Sequence, residues 1–422
     1  MSKNQRTIIF CVVIILVASC TAPTSNLPTP SATVQSDLPP LPEVSISRHP
    51  QPDDYSRINI YTEPPTYDPN STEQWQMDLR SSNLTGFDLS KSKNDLLHAD
   101  FDSRTKWPSQ NKMPADFDWQ KIMEINKDPG LGIRNLHQQG IDGSGVGIAI
   151  IDQPLLVDHV EYNDKIRLYE EINVTPDNKA AMHGAAVASI AVGKTVGIAP
   201  NADLYYIGSW TGDWGTGPNN NFTWNFTYYA QSVRRILEIN QGLPEGRKIR
   251  VIAMQVGWDP SQMGYDEITA AVNEAKAEGI LVVSSNLYET YGWHFQGLGK
   301  EPLADPNNFL SYGPGLWWQE RFYEQDLPAD TLLVPMDSRT TASPTGTEDY
   351  VFYREGGWSW SIPYIAGTYA LAAQVKPDIT PEEFWETALQ TGRTIQLQHD
   401  GKEYEFGVIL DPQALIEELK SK

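Results

Sequence analysis

Val146-Gly147-Ile148-Ala149-Ile150-Ile151 is a continuous, largely β-branched apolar run that ends on the acidic residue Asp152. A run of this length with no polar alternation fits a strand buried on both faces, as in a parallel sheet covered by helices. Val251-Ile252-Ala253-Met254 and Ile280-Leu281-Val282-Val283 have the same texture. Around them lie stretches with helical character at 185–192, 229–240 and 265–278. Strands alternating with helices predict an α/β domain with a mainly parallel central sheet and helices on both faces. Towards the end, Thr380-Pro381-Glu382-Glu383 offers a capping Thr, a first-turn Pro and a Glu at the third position, predicting a helix to about residue 390.

The chain has 422 residues, 40% of them apolar, enough to build a large core. A formal net charge of -22 argues against a nucleic-acid partner and against a polybasic membrane patch. Its two cysteines, Cys11 and Cys20, both lie near the start. A short basic segment precedes the apolar run 7–18, too short to span a bilayer comfortably and suited to an export signal. Val17-Ala18-Ser19-Cys20 resembles the lipobox of bacterial lipoproteins, in which the cysteine thiol receives the lipid. The organisation expected is a lipoprotein signal peptide at 1–19 and a lipidated Cys20 with a disordered Pro/Ser/Thr tether over 20–43. An irregular accessory segment over 44–129 and the α/β domain over 130–422 follow. Such a protein is exported and held on the membrane by its lipid, facing away from the cytoplasm, with no cysteine left for a disulfide.

Within the accessory segment, Leu79, Leu84 and Leu89 recur every five residues, and Leu96 and Phe101 repeat the spacing after a slip. That period belongs to neither helix nor strand and is similar to pentapeptide-repeat coils. A lid, a pro-segment-like cover and an edge of the main domain all remain open as its role. The segment is expected to stay attached as part of the folded body.

Three segments place reactive side chains where an α/β enzyme uses them. Asp152 directly follows its strand, at the carboxyl end where ligands of open parallel sheets gather. His183 opens the small-residue helix His183-Gly184-Ala185-Ala186-Val187-Ala188-Ser189, where the positive end of the helix dipole favours a neutral imidazole. Ser359, in Gly356-Gly357-Trp358-Ser359-Trp360-Ser361-Ile362-Pro363, precedes an apolar helix expected from about residue 362 to 375, with Pro363 in its first turn. Unpaired backbone N–H groups at that helix start make one part of an oxyanion hole.

In order, these segments resemble the subtilisin-like serine proteases over residues 130–392. Gly143-x-Gly145 through Asp152 is similar to the family's Asp strand, and His183-Gly184-x-x-Val187-Ala188 to its His motif. Val196-Gly197-Ile198-Ala199-Pro200 looks like the strand that follows the His motif. Gly357-x-Ser359-x-x-x-Pro363-x-Ile365-Ala366-Gly367 looks like its nucleophile motif. The segment containing Gln255, Val256 and Gly257 resembles the strand lining the substrate pocket. The resemblance implies a serine endopeptidase acting on polypeptides through Ser359, His183 and Asp152. A monomer is expected, with no cofactor and no metal ligands assigned. Structural calcium is not indicated by the sequence.

Some positions depart from the family pattern. Trp358 and Trp360 flank the nucleophile, and Gln255 and Trp258 stand where small residues are usual. The Asn that donates to the oxyanion has no gapless match. Asn286 is the preferred candidate, Tyr288 falls at the gapless place, and a donor from elsewhere stays open. These departures also motivate the alternative of a catalytically weak or inactive pseudoprotease that binds or scaffolds peptides. A hydrolase of non-peptide esters or amides using the same triad is a third, weaker alternative.

Overall fold

In the computed structural model, which describes residues 38–56, 60–71, 73–215, 221–325 and 327–422, the decisive run forms a strand with all six residues buried. It is one of six parallel strands: β1 (Ser45–Ile46), β2 (Gly147–Asp152), β3 (Ile166–Ile172), β4 (Asp203–Ser209), β5 (Ile249–Met254) and β6 (Leu281–Ser284). Their order is β1-β3-β4-β2-β5-β6, so β2 lies between β4 and β5. The export run and Cys20 lie outside the described residues. Among the described residues no helix is long and apolar enough to cross a membrane.

The two-residue period of β2 divides the core. Ile148 and Ile150 face one cluster, shared with the helices α1 (Met182–Val192) and α4 (Trp358–Val375). Ala149 and Ile151 face the other, with α2 (Thr227–Gly242) and α3 (Tyr265–Ala277). Helices therefore cover both faces, which is why the strand needs no polar alternation. α1 is buried from Gly184 to Val192, and its small residues let it lie close to the sheet. At Gly184 the fit admits nothing larger, because a Cβ there would sit 2.5 Å from the Tyr206 hydroxyl and 2.6 Å from the Gln153 carbonyl oxygen. The cap expected at Thr380 is present, its side chain accepting the Glu383 N–H at the start of the helix Pro381–Thr391.

The helix bearing Ser359 differs from expectation. It starts at Trp358, not near residue 362, and Pro363 lies inside it. The first turn is tolerant enough to take in the glycine-led loop, since its N–H groups lack helical partners in any case. Pro363 has no N–H to offer the carbonyl four residues earlier, and that carbonyl belongs to Ser359.

The accessory segment is built into the same compact unit, Leu38–Lys422. It supplies β1, paired to the outer edge of β3. The five-residue spacing has a structural basis: Leu79, Leu84, Leu89, Leu96 and Phe101 are all buried together with Phe352 in a satellite core. Leu79, Leu84 and Leu89 donate their N–H groups to the carbonyls of Asp100, Lys106 and Lys112, each at 2.8 Å. Each leucine carbonyl also accepts the N–H three residues on, turning the chain after each rung. The result is a short ladder of stacked turns. Phe101–Asp102 then pairs with the strand Tyr350–Tyr353, which leads into the Ser359 loop.

Because Leu84 is fully buried in a core that shares Phe352 with the main domain, Leu84→Ala is expected to lower the stability of the whole unit by about 2–5 kcal/mol. Urea unfolding followed by near-UV circular dichroism checks this. Loss of the satellite core alone, with the main transition unmoved, would contradict the shared packing.

Candidate active site

Asp152 is the last residue of β2 and His183 the second of α1. The two Asp152 carboxylate oxygens lie 2.7 and 2.9 Å from His183 Nδ1, and Oδ1 also accepts the Gln153 N–H at 2.7 Å. A carboxylate only accepts, so Nδ1 carries the proton and Nε2 is the basic nitrogen. Nε2 has no hydrogen-bond partner among the described residues. Burial works against a charged imidazole, but the charge of Asp152 and its hydrogen bond outweigh it and raise His183 above its ordinary value of 6.5. This reverses the expectation drawn from the helix dipole: a carboxylate in contact acts more strongly than the partial charge of a helix end.

Ser359 is the second residue of α4 and is half-buried. Gly357 caps the helix in extended conformation, and its carbonyl accepts the Trp360 N–H. The N–H of Ser359 has no partner among the described residues. Trp360 brings α4 to the histidine, its ring 5.6 Å from the imidazole and 5.2 Å from Tyr353. Trp358 leaves in another direction, donating its indole N–H to Gln296 Oε1 and packing on Phe295 and Trp317. The two indoles thus form separate walls. No hydrogen bond joins Ser359 to His183 among the described residues; in unliganded enzymes such bonds are commonly long and tighten on substrate binding.

His183 opens on a cleft of about 360 Å³ whose lining includes Asp53, Tyr55, Gln153, Lys179 and Trp210. Two of these walls, Asp53 and Tyr55, come from the accessory segment. A larger cavity, about 950 Å³, lies at the amino ends of β2 and β5, beside Val146 and Lys248. That is the edge opposite to Asp152, away from where open parallel sheets bind their ligands.

The loop before Ser359 is held from both ends of the chain. Gly356 donates its N–H to Asp337 Oδ1 at 2.8 Å, while Asp337 Oδ2 accepts from Leu316. Burial pushes the Asp337 carboxyl up to about 6, with both N–H groups pulling the other way. Arg354 N–H donates to Asp100, and Trp75 donates its backbone N–H to the Glu355 carboxylate and its indole N–H to the Glu355 carbonyl. Sequence reading missed all three supports. Only Asp337 left a signal, since it follows the apolar run Leu332-Leu333-Val334-Pro335-Met336 much as Asp152 follows its strand.

On the substrate-pocket segment, Gln255 is 8% exposed and directly follows β5. Val256 accepts the Ser285 N–H, and Gly257 lies so close to Asn286 that a Cβ would meet its Oδ1 at 2.6 Å. Asn286, the expected oxyanion donor, is closed onto Trp258: Oδ1 accepts the Trp258 N–H at 2.8 Å and Nδ2 donates to the Trp258 carbonyl at 2.7 Å. Its amide bridges the ends of β5 and β6, with one N–H left over. Tyr288, the gapless alternative, is exposed and stacks on His294. Among the described residues no three His, Cys, Asp or Glu side chains are grouped to hold a metal ion.

A parallel sheet with an Asp–His pair at its carboxyl edge, and a serine opening the buried helix that crosses it, is the architecture of the subtilisin-like serine peptidases. Residues 143–308 match the Subtilase family of peptidases. The match takes in Asp152 and His183 and ends before Ser359, short of the 130–392 over which the motifs resemble the family. Among solved structures, the prenylagaramide maturation protease PagA is similar at 15% identity, over 68% of this chain and 98% of its own, with a TM-score of 0.46. A protease from Pseudoalteromonas arctica is similar at 18% identity, over 71% of this chain and 97% of its own, with a TM-score of 0.48.

A folded-state value raised above the unfolded one means that the His183–Asp152 pair stabilises the fold fully below about pH 6.5. That contribution fades as pH rises through the raised value. NMR titration of the His183 ring is expected to give a midpoint above 6.5, falling below 6.5 in Asp152→Asn, where burial acts without a counter-charge. An unchanged midpoint in the variant would refute this assignment of cause.

Proposed function

We propose that the protein is an active serine endopeptidase that cleaves polypeptides through an acyl-enzyme. The observation that carries this reading is the Asp152–His183 pair, which fixes the tautomer and leaves Nε2 without a partner among the described residues, on a histidine that lines the cleft. Ser359 Oγ attacks the scissile carbonyl, and its proton passes to His183 Nε2. Asp152 holds the ring and offsets the charge it gains. His183 then gives the proton to the leaving amine, and water releases the acyl group by the same route. The first-turn N–H of Ser359 faces the developing oxyanion. No cofactor enters this scheme, and the working unit is taken to be the monomer. Cys20 is the lipid attachment point, and residues 44–129 stay attached, holding a lipid-anchored enzyme outside the cytoplasm.

A second reading, a peptide-binding protein without turnover, is favoured by the absence of a Ser359–His183 hydrogen bond among the described residues and by the tied amide of Asn286. Fluorophosphonate labelling separates the two. The wild type and Ser361→Ala, which alters a neighbouring fully buried hydroxyl, are expected to label, and Ser359→Ala to lose label with about a million-fold loss of peptide hydrolysis. An unlabelled wild type supports the second reading. Separately, radiolabelled fatty acid is expected to enter the wild type and not Cys20→Ala; equal incorporation in both would remove the lipid anchor from the proposal.

A further inference from the structure

Gln255 carries a carboxamide with nothing to bond among the described residues. It is 8% exposed, and both Nε2 and Oε1 lack a partner among the described residues. Native interiors seldom leave such a group unpaired without a catalytic or binding reason. The fold places it beside the triad. β2 and β5 are in register through Ile151 and Met254, so the next residues across the pair are Asp152 and Gln255. On β5, Val251 and Ala253 face the core that contains α1 and α4, while Ile252 and Met254 face the other. The two-residue alternation turns Gln255 to the α1 and α4 side, the side that carries His183 and Ser359. Trp360 Nε1 and Ser361 Oγ, in the first turn of α4, are likewise buried without partners.

We infer that the Gln255 amide donates a hydrogen bond to the oxyanion formed when Ser359 attacks, in place of an Asn at the end of β6. The inference rests on the peptidase reading above. When Ser359 Oγ bonds to the carbonyl carbon, the π pair moves onto oxygen and the hydroxyl proton to His183. Gln255 Nε2–H and Ser359 N–H then flank that oxygen, and neither gives up its proton. Asn286 has its Oδ1 and one of its two N–H groups bridged to Trp258, a pairing that joins the two strand ends and fixes where the remaining N–H can point. The donor has moved one strand over, from the end of β6 to the end of β5.

The test uses the purified mature chain and its Gln255→Ala and Gln255→Glu variants. Peptide hydrolysis, affinity for a peptide boronate whose tetrahedral adduct places an oxygen in the same hole, and affinity for a cleaved product peptide are measured. Loss of one such donor is expected to lower kcat about 100- to 1,000-fold with KM little changed. Boronate affinity should fall with kcat, product affinity should hold, and Gln255→Glu, nearly isosteric but without the donor, should be no better than Gln255→Ala. An active wild type whose Gln255→Ala variant keeps its kcat overturns the assignment alone. A parallel fall in product affinity and in thermal stability, showing a structural role, overturns it too. A wild type that neither hydrolyses peptide nor labels overturns the peptidase reading and this inference with it.

Discussion

The carboxylate of Asp152 ends a strand that is buried on both faces, so its charge sits where water is scarce. A carboxylate buried there is costly unless its oxygens are hydrogen-bonded. The Gln153 N–H and the His183 Nδ1–H both bond to it, and they make the position of the imidazole a condition of the position of the strand. Gly184, which lets α1 approach the loop after β2, is part of the same constraint. A larger residue would push the histidine off the acid and leave both groups poorly solvated. The site is thus an outcome of how closely one small-residue helix packs on one strand.

Around that pair the protein separates two tasks by direction. The wall formed by Trp360 fixes the imidazole from the α4 side, while Trp358 turns to Gln296 and packs away from it. At the floor, Asn286 and Trp258 lock the ends of β5 and β6 together. The large residues Gln255 and Trp258 leave the sheet undisturbed, because they fall beyond the last paired residues of the strands.

Where the determinants are local, the sequence is readable. The continuous run before Asp152, the small residues after His183 and the apolar helix after Ser359 each report their own burial, and the strand–helix alternation follows from them. Reading Pro363 as a first-turn residue misplaces the start of α4, because the helix accommodates it one turn later. The raised value of His183 escapes a sequence reading because a dipole is legible along one helix and a carboxylate 31 residues away is not. The supports of the Ser359 loop are invisible for the same reason: Asp100 meets Arg354 and Trp75 meets Glu355 across most of the chain, and contacts at that range leave no periodic trace.

The bond between Trp75 and Glu355 closes a loop of 280 residues, and it is made on the loop that leads to Ser359. Contacts at such separation carry a loop-closure entropy that must be met before they reward the chain, and they slow folding. A polypeptide made from its amino terminus therefore carries Trp75 and Asp100 long before Arg354 and Glu355 exist to meet them. The order of synthesis becomes a delay: the Ser359 loop is completed only when two distant parts of the chain meet.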